Sequence, residues 1–210
     1  MAIIKGLHAE LVKDQFFSAM KKKGYATFDG NKKFNLNIIG VRNDSHDATK
    51  FDDLMVVIYR DDNKEWTVNS YQITTDPGPS ILRKPINKKG TAILVPDQYR
   101  GTWKIGPHGK TRYTALAQRL GEVKVYRDND KDRNLEMSDR TIDEGYFGIN
   151  IHKHASSYER EFVKGASAGC QVFKITKEFN EFMELCHISA DLFDNSFTYT
   201  LLDENDLCRD

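Results

Sequence analysis

GINIHKHASSYEREFVKGASAGCQVF, residues 148–173, sets two histidines on a strand-like run and, one loop later, a cysteine between a glycine and a second apolar run. In an extended strand, residues two apart share a face, so His152 and His154 are expected to point the same way and Lys153 the opposite way. ASSYEREFVKGA is polar and able to turn back, and SAGCQVF re-enters the core with small residues around Cys170. A thiol of ordinary pKa, about 8.5, is only a few per cent thiolate at neutral pH, so a cysteine nucleophile needs a nearby base or cation. A histidine supplies one. Gly169, lacking Cβ, gives a substrate carbonyl room to approach and lets the amides around Cys170 aim at a developing oxyanion, while Ser167 offers a hydroxyl to the turn or the substrate.

The flanking sequence is mostly of the same kind. FNLNIIGVR, LMVVIYR and EWTVNSYQITT are short runs rich in β-branched and aromatic residues, separated by Asn, Asp and Gly clusters. TAILVP and YRGTWKIG read as a strand pair turning at PDQ, RYTALAQRL as a brief helical turn, EVKVYRD as a strand, and IDEGYFGINIH as the strand delivering His152. TTDPGPS, with two prolines around Gly78, predicts an ordered turn. Two segments carry helical period: residues 8–23, with Leu11, Val12, Phe16 and Met20 at three- and four-residue spacing, and residues 177–193, with Phe179, Phe182, Met183 and Cys186 on one face. SFTYTLLDE then returns to an extended pattern. The expected fold is mainly β (α+β) with a helix near each terminus. It is one domain over 1–210: an N-terminal helical segment at 1–30, a β core at about 34–176, and a helix and strand at 177–210.

Thirty-one basic and thirty-one acidic side chains cancel, so no global field draws the protein to nucleic acid or an anionic membrane, and a charged ligand must be met locally. There is no eighteen-residue apolar stretch and no long apolar segment at the start. The expectation is a chain made in the cytoplasm without an export signal of its own. Three cysteines without a CxxC spacing indicate neither a disulfide framework nor a four-cysteine zinc site.

His152, followed eighteen residues later by Cys170 within Ser-Ala-Gly-Cys and entered from an apolar GINIH strand, resembles the catalytic motif of the L,D-transpeptidase (YkuD-like) family. TTDPG, GTAILVPDQY and GINIH ahead of SAGCQVF are similar to small phage-encoded proteins of this group. The resemblance implies an L,D-transpeptidase-like β-sandwich or barrel, Cys170 as nucleophile, His152 as base, Gly169 beside the oxyanion, and the Lys153 carbonyl as orienter where the family often has a serine. It also implies peptidoglycan stem peptides as substrate, phage virion or lysis proteins as partners, no cofactor, and action on the cell wall after lysis, pore passage or injection. One position departs: the family's histidine before Gly-Cys is Ala168 here.

Ser167, His154, His108 and Tyr113 are the expected substrate-side residues. Two other functions stand beside the acyltransferase. One is a non-enzymatic virion or wall-binding module with a relic pocket, which Ala168 favours. The other is a zinc hydrolase using His152, His154 and Cys170. Separately, DNDKDRNLEMSD sets Asp128, Asp130, Asp132 and Asn134 at alternating positions, with Asp139 twelfth, as in a calcium loop; the sixth position, ordinarily glycine, is Arg133. A solvated acidic turn is the plainer reading of that stretch.

Overall fold

The computed structural model describes residues 2–109, 112–154 and 161–207. Its strands are β1 (Ala2–Lys5), β2 (Asn37–Arg42), β3 (Asp53–Arg60), β4 (Trp66–Thr74), β5 (Thr91–Leu94), β6 (Gln98–His108), β7 (Tyr113–Gln118), β8 (Val123–Asp128), β9 (Asp143–Gly145), β10 (Ile151–Lys153), β11 (Gln171–Phe173) and β12 (Phe197–Asp203). Helix α1 spans Leu7–Lys22, α2 Pro79–Arg83 and α3 Thr176–Leu192. The protein is mainly β, with helices near both ends.

Nine strands form one sheet in the order β1-β4-β11-β10-β7-β6-β12-β2-β3, and β3 also pairs with β4, so eight of them close into a ring with β1 attached outside it along β4. Closure removes free edges, and the two buried clusters cover both faces of β2, β3 and β4, which explains their near-continuous apolar runs. Along β3, Met55, Val57 and Tyr59 join one buried cluster while Val56 and Ile58 join another. Along β4, Tyr71 and Ile73 separate from Trp66 and Val68 in the same way. The first cluster takes in Trp103, Tyr199, Leu201 and the α3 residues Phe179, Phe182, Met183 and Cys186; the second is covered by Ala9, Phe16, Phe17 and Met20 of α1. Leu11 of α1, expected in the buried stripe, is exposed, because the helix turns Ala9 and Phe17 inward instead.

Several elements differ from the expectation. RYTALAQRL is no helical turn: residues 113–118 form β7, because Ala115, Leu116 and Ala117 are all sealed between β6 and β10 and packing overrides an alanine-rich propensity. TAILVP and YRGTWKIG do not pair. Strand β5 joins β8 and β9 in a separate three-stranded sheet, while β6 pairs with β7 and β12. IDEGYFGINIH divides between β9 in the small sheet and β10 in the ring. Ala2–Lys5, placed in the N-terminal helical segment from sequence, forms β1 on β4 instead. The C-terminal strand β12 lies within the ring, between β6 and β2 and parallel to the latter. Cys208 lies outside the described residues.

Candidate active site

Strands β10 and β11 run parallel, with Ile151 opposite Gln171 and His152 opposite Val172, and Gln171 N–H donates to Asn150 O at 2.9 Å. Cys170 therefore sits beside Asn150, and His152 stands two residues further along the same face of the adjoining strand. The loop before Cys170 is pinned from within and from behind. Ser167 is fully buried; its hydroxyl donates to Cys170 O at 2.9 Å and accepts Gly169 N–H at 3.1 Å. Gly169 has φ +113°, and a Cβ there would lie 2.3 Å from Ala92 O of β5, so only glycine fits. The TTDPGPS turn backs the same loop: Gly78 N–H donates to Ser167 O at 3.0 Å, and a Cβ on Gly78 would meet Lys164 O.

Cys170 is half-buried, and its thiol accepts Asn150 N–H at 3.4 Å and donates to Gly148 O at 3.4 Å. Burial pushes its pKa up to about 11, only partly offset by the Asn150 N–H. The expectation that the Gly169 amide faces an oxyanion is corrected by Ser167, which takes that N–H.

His152 is 6 % exposed. Its Nδ1 lies 2.8 Å from Lys153 O and 3.2 Å from Tyr113 Oη, while Tyr113 O–H itself donates to Lys153 O at 3.1 Å. A carbonyl only accepts, so Nδ1 carries the proton and Nε2 keeps its lone pair. Burial, followed by the neighbouring His108, lowers the His152 pKa to about 3. The resting pair is therefore a thiol and a neutral imidazole. Burial, followed by Cys170, pushes the Tyr113 phenol up to about 12.

His108, from the end of β6, lies across from Tyr113 in the β6–β7 hairpin and stacks on His152 with ring centres 4.0 Å apart at 20°. Asn150 fixes its tautomer. Gln118 N–H donates to Asn150 Oδ1 at 2.9 Å, which forces Asn150 Nδ2 toward His108 Nδ1 at 2.8 Å, and that nitrogen must accept. His154 continues the ladder, its N–H donating to Phe173 O at 3.3 Å, and its ring meets Phe51 edge-on at 5.9 Å. Phe51 belongs to a small cluster with Val163 and Val172, against which Cys170 packs.

The structure gathers His152, Lys153, His108 and Tyr113 about one another, and Ser167 and Gly169 about Cys170 on the adjoining strand, with His154 at the margin. Asn150 was missed, although it touches both the thiol and His108. Its signal was a polar residue between Ile149 and Ile151, in register with His152. Gln118 was missed too: its side chain accepts Phe147 N–H and Ile149 N–H and donates to Gly145 O, fastening the segment that enters β10. His152, His154 and Cys170 are not gathered for zinc; among the described residues no three His, Cys, Asp or Glu side chains converge as a metal set.

A cleft of about 290 Å³ lined by Ile81, Ile86, Thr91, Arg127, Phe147 and Ala168 reaches the loop through Ala168. A larger groove of about 720 Å³ along α1 shares no residue with the site. Compared with family models, curated proteins and solved structures, the chain matches none.

Proposed function

We propose that the protein is a cysteine acyltransferase or peptidase of the L,D-transpeptidase type acting on peptidoglycan stem peptides. The observation supporting it is the His152 tautomer: Lys153 O and Tyr113 hold Nδ1–H, so Nε2 is a base on the strand next to Cys170. In this reading the thiol attacks a peptide carbonyl as its proton passes to His152 Nε2, and the tetrahedral oxyanion meets the Cys170 amide. The imidazolium then protonates the leaving amine, giving a thioester on Cys170. Water resolves the thioester to a free acid, whereas a second amine forms a crosslink. Because the thiol starts protonated, the base works during attack rather than by storing a thiolate.

The cleft at Ala168 is the place this reading assigns to the peptide flanking the reacting carbonyl, where a histidine at that position would fill space. A phage setting, with delivery to the wall by lysis or injection, fits a chain whose described residues include no helix long and apolar enough to cross a membrane. The test is incubation with purified muropeptides and mass spectrometry. Loss of a terminal residue or a changed crosslink is expected with wild type and not with Cys170→Ala; equal activity of the two overturns the assignment.

One observation favours a second reading, a wall-binding or virion module with a relic pocket. Among the described residues, the hydrogen bonds of Cys170 Sγ run to Asn150 and Gly148, and none joins it to the His152 ring. Specific muropeptide binding without turnover is the outcome that module predicts.

A further inference from the structure

Basic residues crowd the part of the chain that borders the Cys170 loop. From residue 77 to 121 the sequence holds nine Lys and Arg and a single acid, Asp97, although the whole chain is neutral. Two pieces of this stretch flank the site. The first runs from the end of α2 into β5 and wraps the Ala168 cleft, to which it gives Ile86, Asn87, Gly90 and Thr91. The second is the β6–β7 hairpin that carries His108 and Tyr113, and the charge of Arg119, just past its end, acts on His108.

The cations of the first piece are left without acidic partners. Arg83, Lys84 and Lys88 are exposed, and among the described residues no carboxylate stands within ion-pair distance of them. Elsewhere lysines are paired, as Lys5 is with Asp61, Lys23 with Asp206 and Lys50 with Asp47. At the cleft wall one carboxylate serves two cations: Asp143 accepts Lys89 Nζ at 3.1 Å on each oxygen and pairs with Arg127 at 3.1 Å. Arg127 is 8 % exposed, its guanidinium 4.4 Å from the centre of the Phe147 ring. Glu144, next along β9, is exposed, and the cations still outnumber the acids. The acidic loop after β8 reaches this side through Asn129, whose amide donates to Lys88 O at 3.5 Å, but its Asp130 and Asp132 accept the loop's own N–H groups and gather no metal set. The remaining lining is largely apolar, with Ile86 78 % and Tyr146 59 % exposed, and exposed apolar groups on a cleft suit an apolar contact from a ligand.

We propose that this cleft and its basic border select an anionic peptide, a stem peptide whose carboxylates are free rather than amidated, with its aliphatic parts against Ile86 and Tyr146 and its carboxylates toward Arg83, Lys84 and Lys88. The identity of the peptide rests on the acyl-transfer reading; its charge does not. Exposed cations within a Debye length of a cleft raise the local concentration of a carboxylate ligand, an effect that salt removes. A bilayer or a duplex meets a broad face, whereas these cations border a cleft of about 290 Å³, near the lower end of small-ligand sites.

Binding is measured by calorimetry on the full-length Cys170→Ala protein, so that no turnover intervenes, with two probes: a stem tetrapeptide with free carboxylates and the same peptide with its non-terminal carboxylates amidated. The free acid is expected to bind about tenfold more tightly at low salt, and the preference should vanish near about 0.5 M sodium chloride. Lys84→Gln with Lys88→Gln, at exposed and unpaired positions, should keep the Tm and abolish the preference, binding the amidated peptide as the parent does. No binding of either peptide, equal affinity for the two, a preference that salt does not erode, or one that survives in the double variant overturns the proposal. Binding to vesicles of anionic phospholipid without a preference between the peptides overturns it too, and assigns the segment to a lipid surface. The acyl-transfer reading fails separately: a salt-sensitive preference in Cys170→Ala with no turnover by wild type removes the chemistry and upholds the charge selection.

Discussion

The rings of His108 and His152 are stacked 4.0 Å apart, and each is held in one tautomer by a different backbone-anchored partner, Asn150 for the first and Lys153 O for the second. Two imidazolium ions at that distance repel strongly, so the stack tolerates one positive charge at most. Keeping His108 neutral leaves the proton for His152. Burial, and secondarily Arg119, also lowers His108.

Asn150→Asp tests the lock. A carboxylate at 2.8 Å from His108 Nδ1 favours the protonated ring, so the His108 pKa measured by NMR should rise by about one to three pH units. An unchanged titration would mean that Asn150 does not set the tautomer.

Acid stability follows from the same pair. A histidine lowered in the native state contributes stability that is complete above the unfolded value, about 6.5, and is lost as pH falls from there toward the folded value, which for His152 is about 3. Each such histidine costs roughly 1.4 kcal/mol per pH unit in that window. Asp53, raised to about 7 by burial and then by Asp76, acts oppositely, its contribution fading as pH rises from 3.8 to 7. The difference between wild type and His152→Gln in urea midpoints from pH 7 to 4.5 removes the Asp53 term, and it should shrink as pH falls. A constant difference would contradict a buried neutral His152.

The thiol makes a kinetic prediction. With Cys170 raised to about 11, its alkylation by iodoacetamide should keep accelerating past pH 9. Cys186, sealed in the core and also raised, should label more slowly at every pH. A plateau for Cys170 near pH 7, read by peptide mass spectrometry, would instead reveal a thiolate–imidazolium pair at rest.

Gly169→Ala should cost about 2–4 kcal/mol, since it combines a left-handed φ with a Cβ pressed on Ala92 O. Gly148→Ala, with φ +71° but open space around its Cβ, should cost about 1–2 kcal/mol. Equal losses in denaturant melts would mean that the contact with β5 is not what selects glycine at 169.

The short apolar runs were legible as strands because strand period and β-branched content survive in isolation, and the two long helices because their buried faces repeat. Pairing was not. Whether TAILVP meets YRGTWKIG or EVKVYRD depends on ring closure, which places β5 in another sheet and β12 between β6 and β2. Residues 113–118 were misread because their small side chains fit a helix as readily as a crowded strand. At the site, Cys170 and His152 stood out by residue type and spacing. Asn150 and Gln118 did not, since their importance lies in which amide hydrogens reach them across the ring. The Ser167 hydroxyl was noted, but its capture of the Gly169 N–H follows from a turn that no spacing reveals.

Covalent capture is the most direct measurement. Exposed to a purified stem tetrapeptide and quenched in acid, the wild-type protein should gain the mass of one acyl group, mapped to the peptide bearing Cys170, with none on Cys170→Ala and at least a hundredfold slower appearance on His152→Gln. An adduct elsewhere, no adduct with hydrolysis still proceeding, or an adduct forming equally fast without His152 would contradict attack by sulfur 170 assisted by imidazole 152.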